Sequence, residues 1–345
     1  MKQLLKGLIV LTLFGITVLP GCDNVLDDVA TTTIQAENDI YNGDVAANEP
    51  ITWDLADNLE MKGGTGKSSH PFSSPSIDKD HTWIPVEITD RGLILQLLLS
   101  GGGSFSGRIE NKENNSVLFG VYLSDTENLE DPRESAHFIA SLTLGALASV
   151  DLKLPENFDQ EPSEILNNIA TFLTDNPTLN RLIVYFTADG DPLIDLFIPT
   201  MSMVYPPATR ITNTLVPGDL ADYRKTVKEV TEGHFAGKLT NLGQAAIHFK
   251  AFVSLVTGSY VSGSPASGDL VAELELSPGA TIRFEQAVDE IFVTGGEAKL
   301  KNGITELING NTLESNLFFR SMDATKPIVA VMDSFKIESA ASVGL

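Results

Sequence analysis

The sequence predicts a mainly β protein made of two tandem β-sandwich-like domains, each carrying one short amphipathic helix. Three observations predict this. Residues 104–124, SFSGRIENKENNSVLFGVYLS, return without a gap as residues 234–254, HFAGKLTNLGQAAIHFKAFVS. Phe105/Phe235, Gly107/Gly237, Asn111/Asn241, Phe119/Phe249 and Ser124/Ser254 are identical between the two. Further matching segments follow in the same order, their offset drifting only from 130 to 135 residues, and a repeat of this size reads as an internal duplication.

The first elements lie ahead of the repeat. Ile51, Trp53 and Leu55 alternate with polar residues, as do Ile84, Val86 and Ile88, the period of a half-buried strand. Between them residues 62–80, rich in Gly, Ser and Pro, read as a loop insertion. Residues 93–99, LILQLLL, have strand length and are bounded by Arg91-Gly92 and a Gly triplet, so a strand buried on both faces is expected. In the repeated stretch Phe105, Gly107 and Ile109 share one face, Asn111 begins a turn, and Val117, Phe119, Val121 and Leu123 line the return strand. Next come Phe138, Ala140, Leu142 and Leu144, a turn, then Val150 and Leu152, which read as a hairpin. Ile165, Ile169, Phe172 and Leu173 fall at helical spacing, and Leu300, Ile304, Leu307 and Ile308 repeat them. Two further strands close each copy, and Pro206-Pro207 separates the copies. The expected domains are residues 34–204, with the insertion 62–80, and residues 209–341. At class level the body resembles tandem immunoglobulin-like β-sandwich modules.

The N-terminus carries an address. Lys2 and Lys6 precede an apolar run at residues 7–19, short for a bilayer span and suited to an export signal. It ends in Leu19-Pro20-Gly21-Cys22, which resembles the lipobox of bacterial lipoproteins. The resemblance covers residues 1–22. It implies removal of residues 1–21 by cleavage between Gly21 and Cys22, lipid attachment at Cys22, and a tether over 22–33. Cys22 is the only cysteine of the chain, so the domains have no disulfide and stand on packing. The implied location is the bacterial cell envelope. Asp23 and Asn24 resemble inner-membrane retention signals of enteric lipoproteins, and inner versus outer membrane stays open.

A net charge of -23 argues against nucleic acid, whose phosphates are bound by Lys and Arg. The chemistry-bearing motifs are thin. Residues 63–68, GGTGKS, lack the first Gly of a phosphate-binding loop, and Ser76-Ile77-Asp78-Lys79 lies in a Pro/Ser loop without the partner motifs of penicillin-binding enzymes. Residues 125–134, DTENLEDPRE, hold five acids, and Asp125, Glu127, Glu130 and Asp131 are the calcium candidates. No cofactor is otherwise expected. Trp53 and Trp83 read as core. The functional expectation is a lipid-anchored, non-enzymatic binding, adhesion or spacer module. Its partners would be the membrane, through the lipid, and an envelope protein or polysaccharide. The alternatives are an envelope enzyme acting on polysaccharide through loop carboxylates and an assembly factor. Function is expected where the copies differ: the acidic loop, the insertion and the Trp-bearing strands.

Overall fold

The computed structural model describes residues 31–62, 81–153, 156–189, 195–217, 227–255, 270–286 and 288–344. The lipobox, Cys22, most of the tether and most of the insertion 62–80 lie outside these residues. In chain order the strands of the first half are β1 (Thr31–Ala47), β2 (Ile51–Lys62), β3 (His81–Glu87), β4 (Ser104–Asn111) and β5 (Val117–Ser124). β6 (His137–Leu144), β7 (Ser149–Lys153), β8 (Arg181–Asp189) and β9 (Asp195–Tyr205) follow. The second half holds β10 (Ala208–Leu215), β11 (Val227–Asn241), β12 (Ile247–Ser254), β13 (Leu270–Leu276), β14 (Thr281–Arg283), β15 (Leu313–Ser321) and β16 (Ile328–Gly344). The helices are α1 (Arg91–Leu99), α2 (Pro132–Ser135), α3 (Pro162–Asp175), α4 (Val288–Ile291) and α5 (Gly296–Ile308). Among the described residues no helix is long and apolar enough to cross a membrane.

The strands form four antiparallel four-stranded sheets. In the first unit β2-β9-β4-β7 faces β3-β8-β5-β6, and in the second β1-β16-β11-β14 faces β10-β15-β12-β13. Each unit is an eight-stranded sandwich with the strand order of a jelly roll. That order differs from the immunoglobulin arrangement of hairpin-connected strands. It also corrects the expected hairpin at residues 138–152: β6 and β7 lie in opposite sheets, and the chain crosses the sandwich between them. Alternating burial is the same for a strand that pairs with its predecessor and for one that faces it across the core.

The first domain boundary also shifts. Residues 34–47 were expected in the first unit, but β1 pairs with β16 along nearly its whole length, from Thr31↔Gly344 to Ala47↔Ile328. Ile40 and Val45 are buried in the second core. The first unit is therefore an insertion between the first two strands of the second, and the Pro206-Pro207 link returns the chain to it.

Residues 93–99 are helix α1, not a strand. Asp90 caps it, its carboxylate accepting from the Leu93 amide at 2.9 Å, and Gly101 at φ 70° ends it, Gly102 N–H closing on Leu97 O at 2.7 Å. It reads apolar on every side because Ile94–Leu98, which span a full turn, are all buried. The outer face of the β10-β15-β12-β13 sheet brings Phe252 and Phe318 into the cluster that holds Ile94, Leu95, Leu97 and Leu98. Helices α3 and α5 fall where the periodicity places them, with Ile165, Ile169, Phe172 and Leu173, and Leu300, Ile304, Leu307 and Ile308, all buried.

The repeated Gly and Asn are scaffold in both units. A Cβ on Gly107 would lie 2.5 Å from Thr200 O, and one on Gly237, at φ 118°, 2.6 Å from Ser334 O. Asn111 donates to Asn115 O and Gly145 O and accepts from Glu113 N–H; Asn241 donates to Ala245 O and Leu276 O and accepts from Gly243 N–H.

Beside Phe252 and Phe318 the same outer face carries His248, Lys250, Glu273 and Arg320. Arg320 Nη2 lies 3.1 Å from His248 Nδ1, and His248 Nε2 lies 2.5 Å from Glu273 Oε1. A guanidinium only donates, so Nδ1 accepts and the ring carries its proton on Nε2. Burial holds the His248 pKa below its usual value, Lys250 and Arg320 adding to the effect and Glu273 opposing it. The unfolded chain then takes up a proton below about pH 6.5 that the folded ring resists. Stability is expected to be full above that pH and to fall as pH drops toward 5. Urea unfolding at several pH values checks this, and His248→Gln should flatten the slope. The lowered carboxyls of Glu273 and Glu338 act in a separate, more acidic window below about 4.5.

Candidate binding face of the first unit

The acidic loop after β5 is a built cap. Asp131 caps α2, accepting from Arg133 N–H at 2.9 Å, and its carboxylate lies 3.4 Å from Arg133 Nη1. Arg133 Nε reaches Asp189 at 2.5 Å. Glu127 pairs with Arg181 at 2.9 Å, and Asp125 accepts from the Thr126 hydroxyl at 2.8 Å. Glu130 stands exposed. Asp125, Glu127, Glu130 and Asp131 are thus not brought around one point, and among the described residues no three His, Cys, Asp or Glu are grouped to hold a metal. Arginines and a helix cap take up Glu127 and Asp131.

The loop covers the outer face of the β3-β8-β5-β6 sheet. Leu129 packs on Trp83, Ile183 and Tyr185. The Tyr185 hydroxyl donates to Thr126 O at 2.9 Å and accepts from Leu129 N–H at 3.0 Å, while His81 Nε2 lies 3.1 Å from Leu129 O. Burial raises the Tyr185 pKa, keeping that hydroxyl a donor. Tyr185→Phe is expected to cost about 1–2 kcal/mol, with hydrogen exchange at the Leu129 amide rising to match.

Under and beside this cap runs a feature the linear sequence hides. Trp83 pairs with Tyr185, Tyr185 with Tyr122 and Tyr122 with Phe138. Four aromatic rings from four strands therefore form one row across the sheet. Trp83 and Tyr185 are buried beneath the loop, Tyr122 is half-buried, and Phe138 on edge strand β6 is 37% exposed. A register shift between Val121 and Tyr122 turns Phe138 outward while Ile139 and Ala140 both point in. Strict period-two alternation would put Phe138 on the same face as Ala140, Leu142 and Leu144. The Tyr122 and Phe138 rings meet edge-on at 5.5 Å, and the Tyr122 ring lies over Gly120, where a Cβ would sit 2.8 Å from it. Thr187 hydrogen-bonds the Tyr122 hydroxyl, with Arg133, Asp189 and Asp131 nearby.

Both tryptophans are buried as expected: Trp53 packs edge-on against Tyr205 at 5.0 Å, and Trp83 starts the aromatic row. At the position of Tyr122 the second unit carries Phe252, buried against the first unit. The same sheet position is thus an interface in one unit and partly open in the other. The arrangement can stack a flat apolar ring on Phe138 and Tyr122 and offer hydroxyl, carboxylate and guanidinium groups at its rim.

No known family model matches the chain, and no curated protein matches it. Solved structures with distant likeness include a secreted protein from Parabacteroides distasonis, at 10% identity over 89% of this chain and 99% of that one, TM-score 0.34. PNGase F, a glycosylasparaginase from Flavobacterium meningosepticum, is 7% identical over 86% of this chain and 97% of that one, TM-score 0.26. An infectious bursal disease virus (Gt strain) structure is 9% identical over 85% of this chain and 42% of that one, TM-score 0.19. At these scores no chemistry of those proteins is carried over to this chain.

Proposed function

We propose that the protein is a lipid-anchored, non-enzymatic binding module of the bacterial cell envelope, built by internal duplication, that holds a neutral polysaccharide on the aromatic face of its first unit. The observation that carries this is the row Trp83–Tyr185–Tyr122–Phe138, pinned at one end by the acidic loop and open at the other. The C–H faces of a pyranose stack on aromatic ring faces, and the polar rim suits its hydroxyls. The chain's net charge of -23 disfavours an anionic polymer. The lipobox-like Cys22 supplies the anchor in this reading, and the shared strand order of the two units supports the duplication.

Affinity electrophoresis in gels containing neutral polysaccharides tests the ligand. Retardation is expected for the parent protein and not for the Tyr122→Ala, Phe138→Ala double variant at unchanged melting temperature; equal retardation of the two ends the reading. Metabolic labelling with a palmitate analogue tests the anchor, and label retained by Cys22→Ala removes it.

A further inference from the structure

A second concavity lies in the other unit and does not depend on the aromatic face. It opens in the seam between β1 and β10, the edge strands of the two facing sheets. Three neighbouring strands lose register at one level. β1 slips between Asp39 and Tyr41 and again before Gly43, β16 leaves Asp333 and Ser334 out of the β1 ladder, and β11 slips between Ala236 and Lys238. Ser334 sits at φ 53°, a left-handed conformation costly for a residue with a Cβ. Gly237 lets the Asp333–Ser334 bulge come close. Bulges at sheet edges re-aim side chains and recur beside binding sites.

The seam is held open by side chains. Asn213 of β10 donates to Ile40 O at 2.8 Å and Asp39 O at 3.3 Å, bracing the bulged strand. Tyr41 folds back, its hydroxyl donating to Asp44 O at 2.7 Å. The result is a cleft of about 510 Å³, within the roughly 300–1,000 Å³ of small-molecule pockets. Its polar lining is Asp39, Tyr41, Asn42, Thr212, Asn213 and Ser334, and Ile211 supplies an apolar wall.

The lining selects a ligand. Thr212, Tyr41 and Asn213 donate within the protein, to Asn316, Asp44 and the β1 backbone, so the Asn42 amide and the Ser334 hydroxyl are the groups that donate to and accept from ligand hydroxyls. Among the described residues Asp39 is the one charged member of the lining, and no Lys, Arg or His joins it. A phosphate, sulfate or carboxylate would meet a carboxylate and no cation. We infer that the β1–β10 seam is a binding site for a neutral saccharide of one or two rings, in which Asp39, Asn42 and Ser334 hydrogen-bond ligand hydroxyls, Tyr41 and Ile211 pack on its apolar face, and Asn213 positions β1.

Saturation-transfer NMR on the full chain in detergent, with glucose, N-acetylglucosamine, cellobiose and glucose 6-phosphate at about 10 mM each, suits a site in the millimolar range. Transfer to at least one neutral sugar is expected, and none to the sugar phosphate. Asn42→Ala, Asp39→Ala and Ser334→Gly should each weaken binding about fivefold or more. Asp39 and Asn42 are exposed, and glycine fits the Ser334 backbone, so these variants keep the fold. The Tyr122→Ala, Phe138→Ala variant should bind these sugars as the parent does. The inference is overturned by absent transfer from every neutral sugar, by transfer insensitive to the three cleft variants, by preference for the phosphate, or by loss in the Tyr122/Phe138 variant alone.

Discussion

Deleting residues 31–47 is expected to unfold the second unit and to leave the first folded. β1 contributes Ile40 and Val45 to the second core, each worth about 1.5–3 kcal/mol of burial. It also covers one edge of β16, whose ladder with β1 runs from Ile328 to Gly344. Against a domain stability of about 5–15 kcal/mol, losing a full edge strand and its hydrogen bonds is decisive. Limited proteolysis should digest β10–β16 while a fragment spanning residues 51–205 survives. A synthetic peptide of residues 31–47 should restore protection by adding back the strand, as in donor-strand complementation. Survival of β10–β16 in the deleted chain without peptide would refute the shared sheet.

Asn241→Ala is expected to destabilise the second unit by roughly 2–5 kcal/mol. The Asn241 side chain is fully buried and closes the turn between β11 and β12. It satisfies Ala245 O at 2.9 Å, Leu276 O at 3.0 Å and Gly243 N–H at 2.9 Å. Alanine leaves those groups without partners, and water reaches the site poorly. Asn111→Ala should act alike in the first unit, where Asn111 Nδ2 reaches Gly145 O at 2.8 Å. Urea unfolding of both single variants measures the two costs, and a cost under about 0.5 kcal/mol, the scale of an ordinary surface substitution, would contradict the geometry.

These two cases mark what could be read before any coordinates. Asn111/Asn241 and Gly107/Gly237 were legible because identical residues at matched positions carry local roles: a turn bond and a close backbone approach. The helices α3 and α5 were legible because each has one wet face and hence a period. Helix α1 was not, since a segment buried all round has no period to report. Its ends did carry a signal, Asp90 as a cap and the Gly101–Gly103 run as a stop, and its leucine-rich composition favours helix over strand. The partner of β1 was beyond reach for another reason. Alternation along a strand says which residues face a core but not which core, and the pairing strand lies some 300 residues away. The aromatic row needs the registers of four strands at once, with a slip at Tyr122 that no single strand reveals. The seam between β1 and β10 was hidden for the same reason, for it exists only once β1 is placed in the second unit.

The pairing of Thr31 with Gly344 brings the two ends of the described chain side by side. Residues 31–344 thus form nearly a closed ring, cut at a point that the strand pairing does not demand. A circular permutant in which a short linker joins residue 344 to residue 31, and which starts at Ala208 and ends at Tyr205, would keep every strand pairing. Each jelly roll would then be continuous in sequence. If Cys22 carries the proposed lipid, the anchor loads β1, and the force passes into the second unit through the β1–β16 ladder.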